Sequence, residues 1–268
     1  MKYDPIKNSI GNVVRDFVIL RKVFYALLGF FFLRAWHVKR ELRRIFRSGT
    51  IRTMFDAGSG FGQYSYYCAR KFPSLSIHAV DVKKEQIRDC TGFFQKAGIP
   101  GVKFGVEDLL VPKHHGEFDL VLSVDVMEHI AEDATVFHNF YNALKPGGAL
   151  LVNTPSDLGG SDAHEEEAGF IEEHARTGYG DEEIRTKLGQ AGFSVEKISY
   201  TYGFWGMVSW RLGIKVPMMM LNRSKVFFLF LPFYYLGALP FVLPLMAVDY
   251  FFPPRTGAGL LVIARKPA

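Results

Sequence analysis

Cysteine is nearly absent from this chain: Cys68 and Cys90 are the only two in 268 residues. Neither sits in a C-x-x-C pair or near a histidine at ligand spacing, which argues against a disulfide framework and a zinc site. The His, Asp and Glu residues also lack metal-ligand spacing, so no metal is expected. No apolar run followed by a small-residue cleavage site is present near the start. The first run begins after Lys7-Asn8-Ser9 and ends at Arg34, so no cleavable signal peptide is expected, and the middle of the chain is expected on the cytoplasmic side of a membrane.

Net basic charge is lacking outside the first fifth of the chain. Residues 1–52 carry 12 Lys/Arg against 3 Asp/Glu, and residues 53–268 carry 20 against 24. The basic arm is interleaved with apolar residues rather than with a base-stacking platform, so no nucleic-acid partner is expected. Long uncharged runs are equally scarce before residue 226. Val23 to Leu33 is only 11 residues, too short to cross a bilayer, which needs about 20. The next stretch, "AWHVKRELRRIFRSG", places Ala35, Val38, Leu42 and Ile45 at helical spacing and surrounds them with Lys39, Arg40, Arg43, Arg44 and Arg47. That pattern predicts a basic amphipathic helix ending near Gly49, suited to an anionic membrane surface.

From Ile51 onward, short apolar runs alternate with helical stretches at Tyr64–Lys71, Glu85–Ala97, Ala134–Leu144 and Asp181–Ala191. The alternation predicts an α/β, doubly wound, mostly parallel sheet whose ligand lies beyond the carboxyl ends of the strands. At the first strand end stands "FDAGSGFGQYS", in which Asp56, Gly58, Gly60 and Gly62 form a D-x-G-x-G-x-G turn. Glycines there let a ligand approach the backbone, and the following helix offers free N–H groups. Asp81 ends the second run, "IHAVDV", 25 residues after Asp56. A carboxylate at that place suits ribose hydroxyls, which a dinucleotide enzyme would also require.

Three further features follow in order: "VED" at Glu107-Asp108, "FDLVLSVDVMEHI" and "LKPGGALLV". Together, the five resemble the class I S-adenosylmethionine-dependent methyltransferases, especially the broad group related to quinone-biosynthesis and small-molecule enzymes. The resemblance spans about residues 50–200 and the last dozen. It implies a seven-stranded Rossmann-like sheet and S-adenosylmethionine as cofactor. Carried over position by position, it implies that Gly58, Gly60 and Gly62 cradle the methionine portion and that Asp56 fixes its ammonium. Asp81 would hold the ribose, Asp108 the adenine amino group with Leu109 beside the ring, and Ser123 would line the site. Phe61 departs from the small or polar residue usual at its position. Candidate bases are Glu128, His129 and, in the long connection after the fifth strand, His164 and His174.

Between the last two strands of such a sheet lies an insertion, residues 204–255, which leaves 50–203 and 256–268 for the catalytic domain and 1–49 for a helical arm. Its core, Val226 to Ala247, has 22 uncharged residues, long enough to span a bilayer. Pro232, Pro240 and Pro244 predict a broken, partly inserted hairpin instead of one regular span. An insertion there sits over the pocket or beside its mouth, so the expected partners are a hydrophobic, lipid-like acceptor and an anionic membrane surface. O-methylation is favoured, with C-methylation second. The alternatives are a methyltransferase of a soluble small molecule, with the insertion as a buried subdomain at a dimer interface, and a noncatalytic membrane-attached module that binds the cofactor.

Overall fold

The computed structural model describes residues 17–159 and 175–268. The seven apolar runs form β1 (Thr53–Ala57), β2 (Ser76–Asp81), β3 (Val102–Val106), β4 (Phe118–Val124), β5 (Leu144–Pro155), β6 (Ser194–Thr201) and β7 (Gly259–Arg265). They build one sheet in the order β3-β2-β1-β4-β5-β7-β6. All neighbours run parallel except β7, which is antiparallel to both β5 and β6. Strands buried on both faces read as near-continuous apolar runs. Met54, Leu120, Leu122 and Leu151 pack to one side, while Phe55, Val121, Leu150 and Val152 pack to the other. The helices are α1 (Val18–Phe31), α2 (Leu33–Phe46), α3 (Gln63–Lys71), α4 (Lys84–Lys96), α5 (Asp133–Ala143) and α6 (Asp181–Gln190). The last four lie within one residue of the ends read from the sequence.

The basic helix α2 differs from its expected role. Ala35, Val38, Leu42 and Ile45 are buried, and the last three belong to the core on one face of the sheet. Its apolar stripe is therefore taken up by tertiary packing and is not free to lie on a bilayer, because burial against β-sheet side chains satisfies the same hydrophobic demand. Arg43, Arg44 and Arg47 remain exposed.

Residues 204–255 form a helical hairpin. One limb comprises α7 (Phe204–Trp210), a π turn (Arg211–Lys215) and α8 (Val216–Arg223). A 3-10 turn (Lys225–Leu229) leads to the other limb, α9 (Leu231–Phe251). The expected break in α9 is absent: its 21 residues are continuous and contain Pro240 and Pro244, rising about 31 Å. Pro232 lies in the first turn, where a missing N–H costs little. Pro240 and Pro244 remove two hydrogen bonds, but their fixed φ is a helical value. The limbs are tied together as well, since the Tyr234 and Tyr235 hydroxyls donate to the carbonyls of Leu212 and Gly213 at 2.7 and 2.9 Å.

The hairpin base is bolted to the arm. The buried Asp249 carboxylate accepts the backbone N–H of Gly203 at 2.7 Å and of Tyr202 at 3.3 Å, and faces His37 Nε2 at 3.3 Å. Arg40 donates to the Tyr250 carbonyl at 2.5 Å and lies over its ring. Arm and hairpin thus form one unit beside β6 and β7.

Candidate active site

The glycine turn links β1 to α3 at the carboxyl edge of the sheet. Gly58, Gly60 and Gly62 all adopt positive φ, at +79°, +52° and +73°. A Cβ at Gly58 would overlap the Val126 side chain, whereas one at Gly60 would meet nothing within 4 Å. The turn is therefore closed on the side of β4 and open at Gly60. The N–H groups of Gly58 and Ser59 donate to the Val80 carbonyl at 3.0 and 2.8 Å, which binds the turn to the end of β2. There, Asp81 accepts from Gly60 N at 3.0 Å through Oδ2 and from Lys83 N at 2.9 Å through Oδ1. Each carboxylate oxygen keeps lone-pair capacity beyond these bonds.

Asp56 lies beneath the turn. It is buried, accepts from Ser65 Oγ at 2.5 Å, and so anchors the first turn of α3. Burial pushes its pKa up to about 6, against the opposing effect of the Ser65 hydrogen bonds. Asp108 is exposed after β3, and its Oδ1 accepts from Leu110 N at 2.9 Å. Leu109 is held by Asn139 of α5, whose Nδ2 donates to the carbonyls of Leu109 and Leu110 at 2.8 and 3.1 Å. Ser123, at the end of β4, is fully buried, and its hydroxyl has no hydrogen-bond partner.

At the mouth, Arg34 from the start of α2 reaches over the sheet edge. Its guanidinium pairs with the Asp125 carboxylate and bonds the Tyr64 hydroxyl, and its backbone N–H donates to the Tyr202 hydroxyl at 3.1 Å. Asp125 and Tyr202 have φ of +53° and +55° and are the two non-glycine residues with positive φ among those described. That conformation is costly for residues with a Cβ and concentrates at functional sites. Both strained residues converge on one arginine.

The candidate bases separate. Glu128 is buried on the short turn after β4, where Thr154 Oγ1 donates to its Oε2 at 3.2 Å. Burial raises its pKa above the ordinary carboxylate value, against the pull of its hydrogen bonds and of nearby His129 and Arg34. His129 is exposed on the same turn. His164 and His174 lie outside the described residues. The chain after them is fixed, because Ala175 N donates to the Glu128 carbonyl at 2.8 Å. The buried Asp133 carboxylate binds Arg176, Tyr179 and Lys187 at 2.9, 2.7 and 2.7 Å.

One histidine cluster was not visible in the sequence spacing. His78, Glu107 and His114 bring potential ligand atoms within 4.8 Å of one another. Glu107 bonds His78 at 2.8 Å and His114 at 3.2 Å, and Lys113 lies 3.8 Å away. These contacts brace the crossover behind Asp108.

A family model described as a methyltransferase domain matches residues 55–152, which run from within β1 into β5. Phosphoethanolamine N-methyltransferase 2 of Caenorhabditis elegans is 28% identical over 130 residues, covering 47% of this chain and 30% of that protein. The ubiquinone biosynthesis O-methyltransferase of Caulobacter vibrioides is 28% identical over 123 residues, covering 43% and 48%. The chain thus spans less than half the length of these curated relatives. The solved structure of Haemonchus contortus phosphoethanolamine N-methyltransferase 2 in complex with S-adenosyl-L-methionine superimposes with a TM-score of 0.60 at 20% identity, covering 86% of this chain and 53% of that one. That likeness concerns the fold.

Residues 55–152 form a methyltransferase domain, on a sheet of the class I, S-adenosylmethionine-dependent fold.

The residues of this methyltransferase fit the cofactor. The turn is open at Gly60 and presents backbone to it, Asp81 keeps acceptor capacity beside that opening, and the buried Ser59 and Ser123 hydroxyls have no partner. Such orphaned groups are rare in native interiors unless something else satisfies them. Sequence reasoning missed Arg34, Tyr64, Asn139 and Tyr202. Arg34 ended an apolar run and carried no local motif. The others are ordinary residues whose roles come from contacts 30 or more residues away in the chain.

Proposed function

We propose that this methyltransferase O-methylates a hydroxyl of a lipid-like acceptor, which reaches the site from an anionic membrane surface on the cytoplasmic side. The observation that carries this reading is the position of the hairpin. It leaves the sheet at Tyr202, a partner of Arg34 at the site mouth, and turns Phe228, Leu229, Phe233, Leu236 and Phe241 outward. Helix α9 has a mean hydropathy of 1.7 with only 11% of that stretch buried, unlike the core helix of a soluble domain. A cleft of about 290 Å³ opens at the hairpin base, lined by Tyr202, Phe204, Met207 and Arg211. It lies between the hairpin and the strand ends at Tyr202 and Ala258. Lys215, Arg223 and Lys225 near the tip, and Arg43, Arg44 and Arg47 on α2, match anionic headgroups. The likeness to a ubiquinone-pathway O-methyltransferase supports oxygen as the acceptor atom.

When bound, S-adenosylmethionine supplies an activated methyl group. The protein's share is positioning and removal of a proton. Arg34, held by Asp125, Tyr64 and Tyr202, orients the acceptor at the mouth. Glu128, backed by Thr154, takes the hydroxyl proton. Because burial raises the Glu128 pKa, its basic form is lost as pH falls through a value above the ordinary carboxylate range. Activity of the native enzyme should therefore drop on acidification, while Glu128→Gln should be slower by about 10²-fold or more and lack that acid limb. A variant with the native rate and pH profile would remove Glu128 from the reaction.

The acceptor is tested by incubating the full chain with labelled cofactor and a total lipid extract from the source cells, then identifying products by mass spectrometry. Label is expected in an apolar product bearing a new methoxy group. Label confined to water-soluble or protein fractions would overturn the lipid reading.

A further inference from the structure

Helix α1 has two working faces. On the inner side, the buried Arg21 donates through Nη2 to the Phe61 carbonyl at 2.9 Å and through Nε to Tyr25 Oη at 3.0 Å. The Tyr25 hydroxyl donates to that same Phe61 carbonyl. Phe61 lies in the glycine turn, between Gly60 and Gly62. Its ring meets Phe24 edge-on at 6.2 Å and lies under the Arg21 guanidinium at 5.7 Å. Arg21 also reaches Cys90 Sγ at 3.4 Å, and the Cys90 thiol donates to the Gly60 carbonyl at 3.5 Å. Burial pushes that thiol's pKa up to about 12, against the nearby Arg21 charge, so it stays protonated and able to donate.

Two consecutive carbonyls of the cofactor turn are thus held from behind by α1 and by the cysteine α1 touches. On the outer side, the same helix exposes Ile19, Leu20, Val23, Leu27 and Phe30, with Phe17 exposed just before it and Ile19 at 75%. This is an apolar face wide enough to lie in a membrane interface. It continues toward the hairpin, because Phe31 at the end of α1 packs against Tyr235 of α9 with ring centroids 4.9 Å apart. Clamp and apolar face share one 14-residue helix, so whatever fixes that helix also fixes the turn.

We infer that α1 couples membrane docking to cofactor binding: a bilayer seated on its outer face holds Arg21 and Tyr25 against Phe61 and so pre-forms the glycine turn. This rests on the membrane reading proposed above. With no bilayer, six large apolar side chains in water leave the outer face without a partner, and the helix is held by its inner contacts alone. With a bilayer, the turn's ordering cost is met before the cofactor arrives. Coupling of this kind is reciprocal: whatever factor the bilayer gives the cofactor, the cofactor returns to the bilayer. Arg21 and Tyr25 are positioning residues here, acting through the Phe61 carbonyl.

The test measures S-adenosylhomocysteine affinity of the full chain by calorimetry, with and without vesicles of one part phosphatidylglycerol to two parts phosphatidylcholine. Vesicle co-sedimentation is followed with and without S-adenosylhomocysteine. Vesicles are expected to tighten the ligand about tenfold, and the ligand to tighten vesicle binding by the same factor. Tyr25→Phe keeps the ring packing and removes only the hydroxyl. It should bind vesicles as the native protein does and lose most of the tenfold gain. Arg21→Met should lose all of it. A purely packing role for Tyr25 would leave the gain intact in Tyr25→Phe, which would overturn the clamp. Vesicle binding with unchanged ligand affinity would overturn the coupling while leaving the membrane reading standing. Failure to bind any vesicle would overturn both.

Discussion

Replacing Phe233 and Leu236 together with glutamate is expected to release the protein from anionic vesicles while leaving its fold intact. Both side chains sit one helical turn apart on α9, exposed to 73% and 77%. Burying a side chain of this kind contributes about 1.5–3 kcal/mol relative to leaving it exposed. Losing two such contributions is worth about 3–6 kcal/mol, or roughly two to four orders of magnitude in vesicle partitioning. Added carboxylates increase the loss through repulsion from anionic headgroups. Stability in water should change by no more than about 0.5 kcal/mol, since neither residue supports the core and glutamate favours helix. Co-sedimentation and urea unfolding read the two effects separately. If partitioning is unchanged and the variant instead converts a dimer to a monomer in gel filtration, the hairpin is a subunit interface.

Asp81→Ala is expected to weaken S-adenosylhomocysteine by about 10²–10⁴-fold. The carboxylate stands where the glycine turn and the end of β2 meet, bonded to Gly60 N and Lys83 N. Two bonds from ribose hydroxyls to an ionised acceptor contribute about 1.5–3 kcal/mol each. Alanine removes both and also leaves the Gly60 N–H, inside the cofactor turn, without its acceptor. Asp81→Asn keeps the shape with weaker acceptors and should fall between the two. Calorimetry on the folded variants, checked by circular dichroism, measures this, and native affinity in Asp81→Ala would remove the ribose assignment.

The fold was legible because its signals are local. Seven apolar runs, glycines at a strand end and polar faces recurring every three or four residues specify a doubly wound sheet from the sequence alone, and both ends of four helices were placed to within one residue. The placement of Gly58, Gly60, Gly62, Asp81 and Asp108 was equally legible, since they lie at strand ends or on the turns after them, where position in the chain dictates position at the sheet edge. Two local patterns misled. The apolar stripe of α2 has the same periodicity whether it meets a membrane or a sheet, and periodicity carries no information about which surface covers it. The prolines of α9 suggested a break, yet proline's fixed φ is helical. Two lost hydrogen bonds did not end a helix tied to a second limb through Tyr234 and Tyr235.

The sequence by itself determined the sheet, the glycine turn, the cofactor class and the greasy insertion, because each is written in residues close together in the chain. Only the tertiary structure decided that Arg34 enters the site, that its two strained partners come from after β4 and after β6, and that α1 grips the cofactor turn through Phe61. Those contacts join residues 36 to 168 positions apart. No spacing rule reaches that far, and it is the packing of the arm against the sheet edge that brings them together.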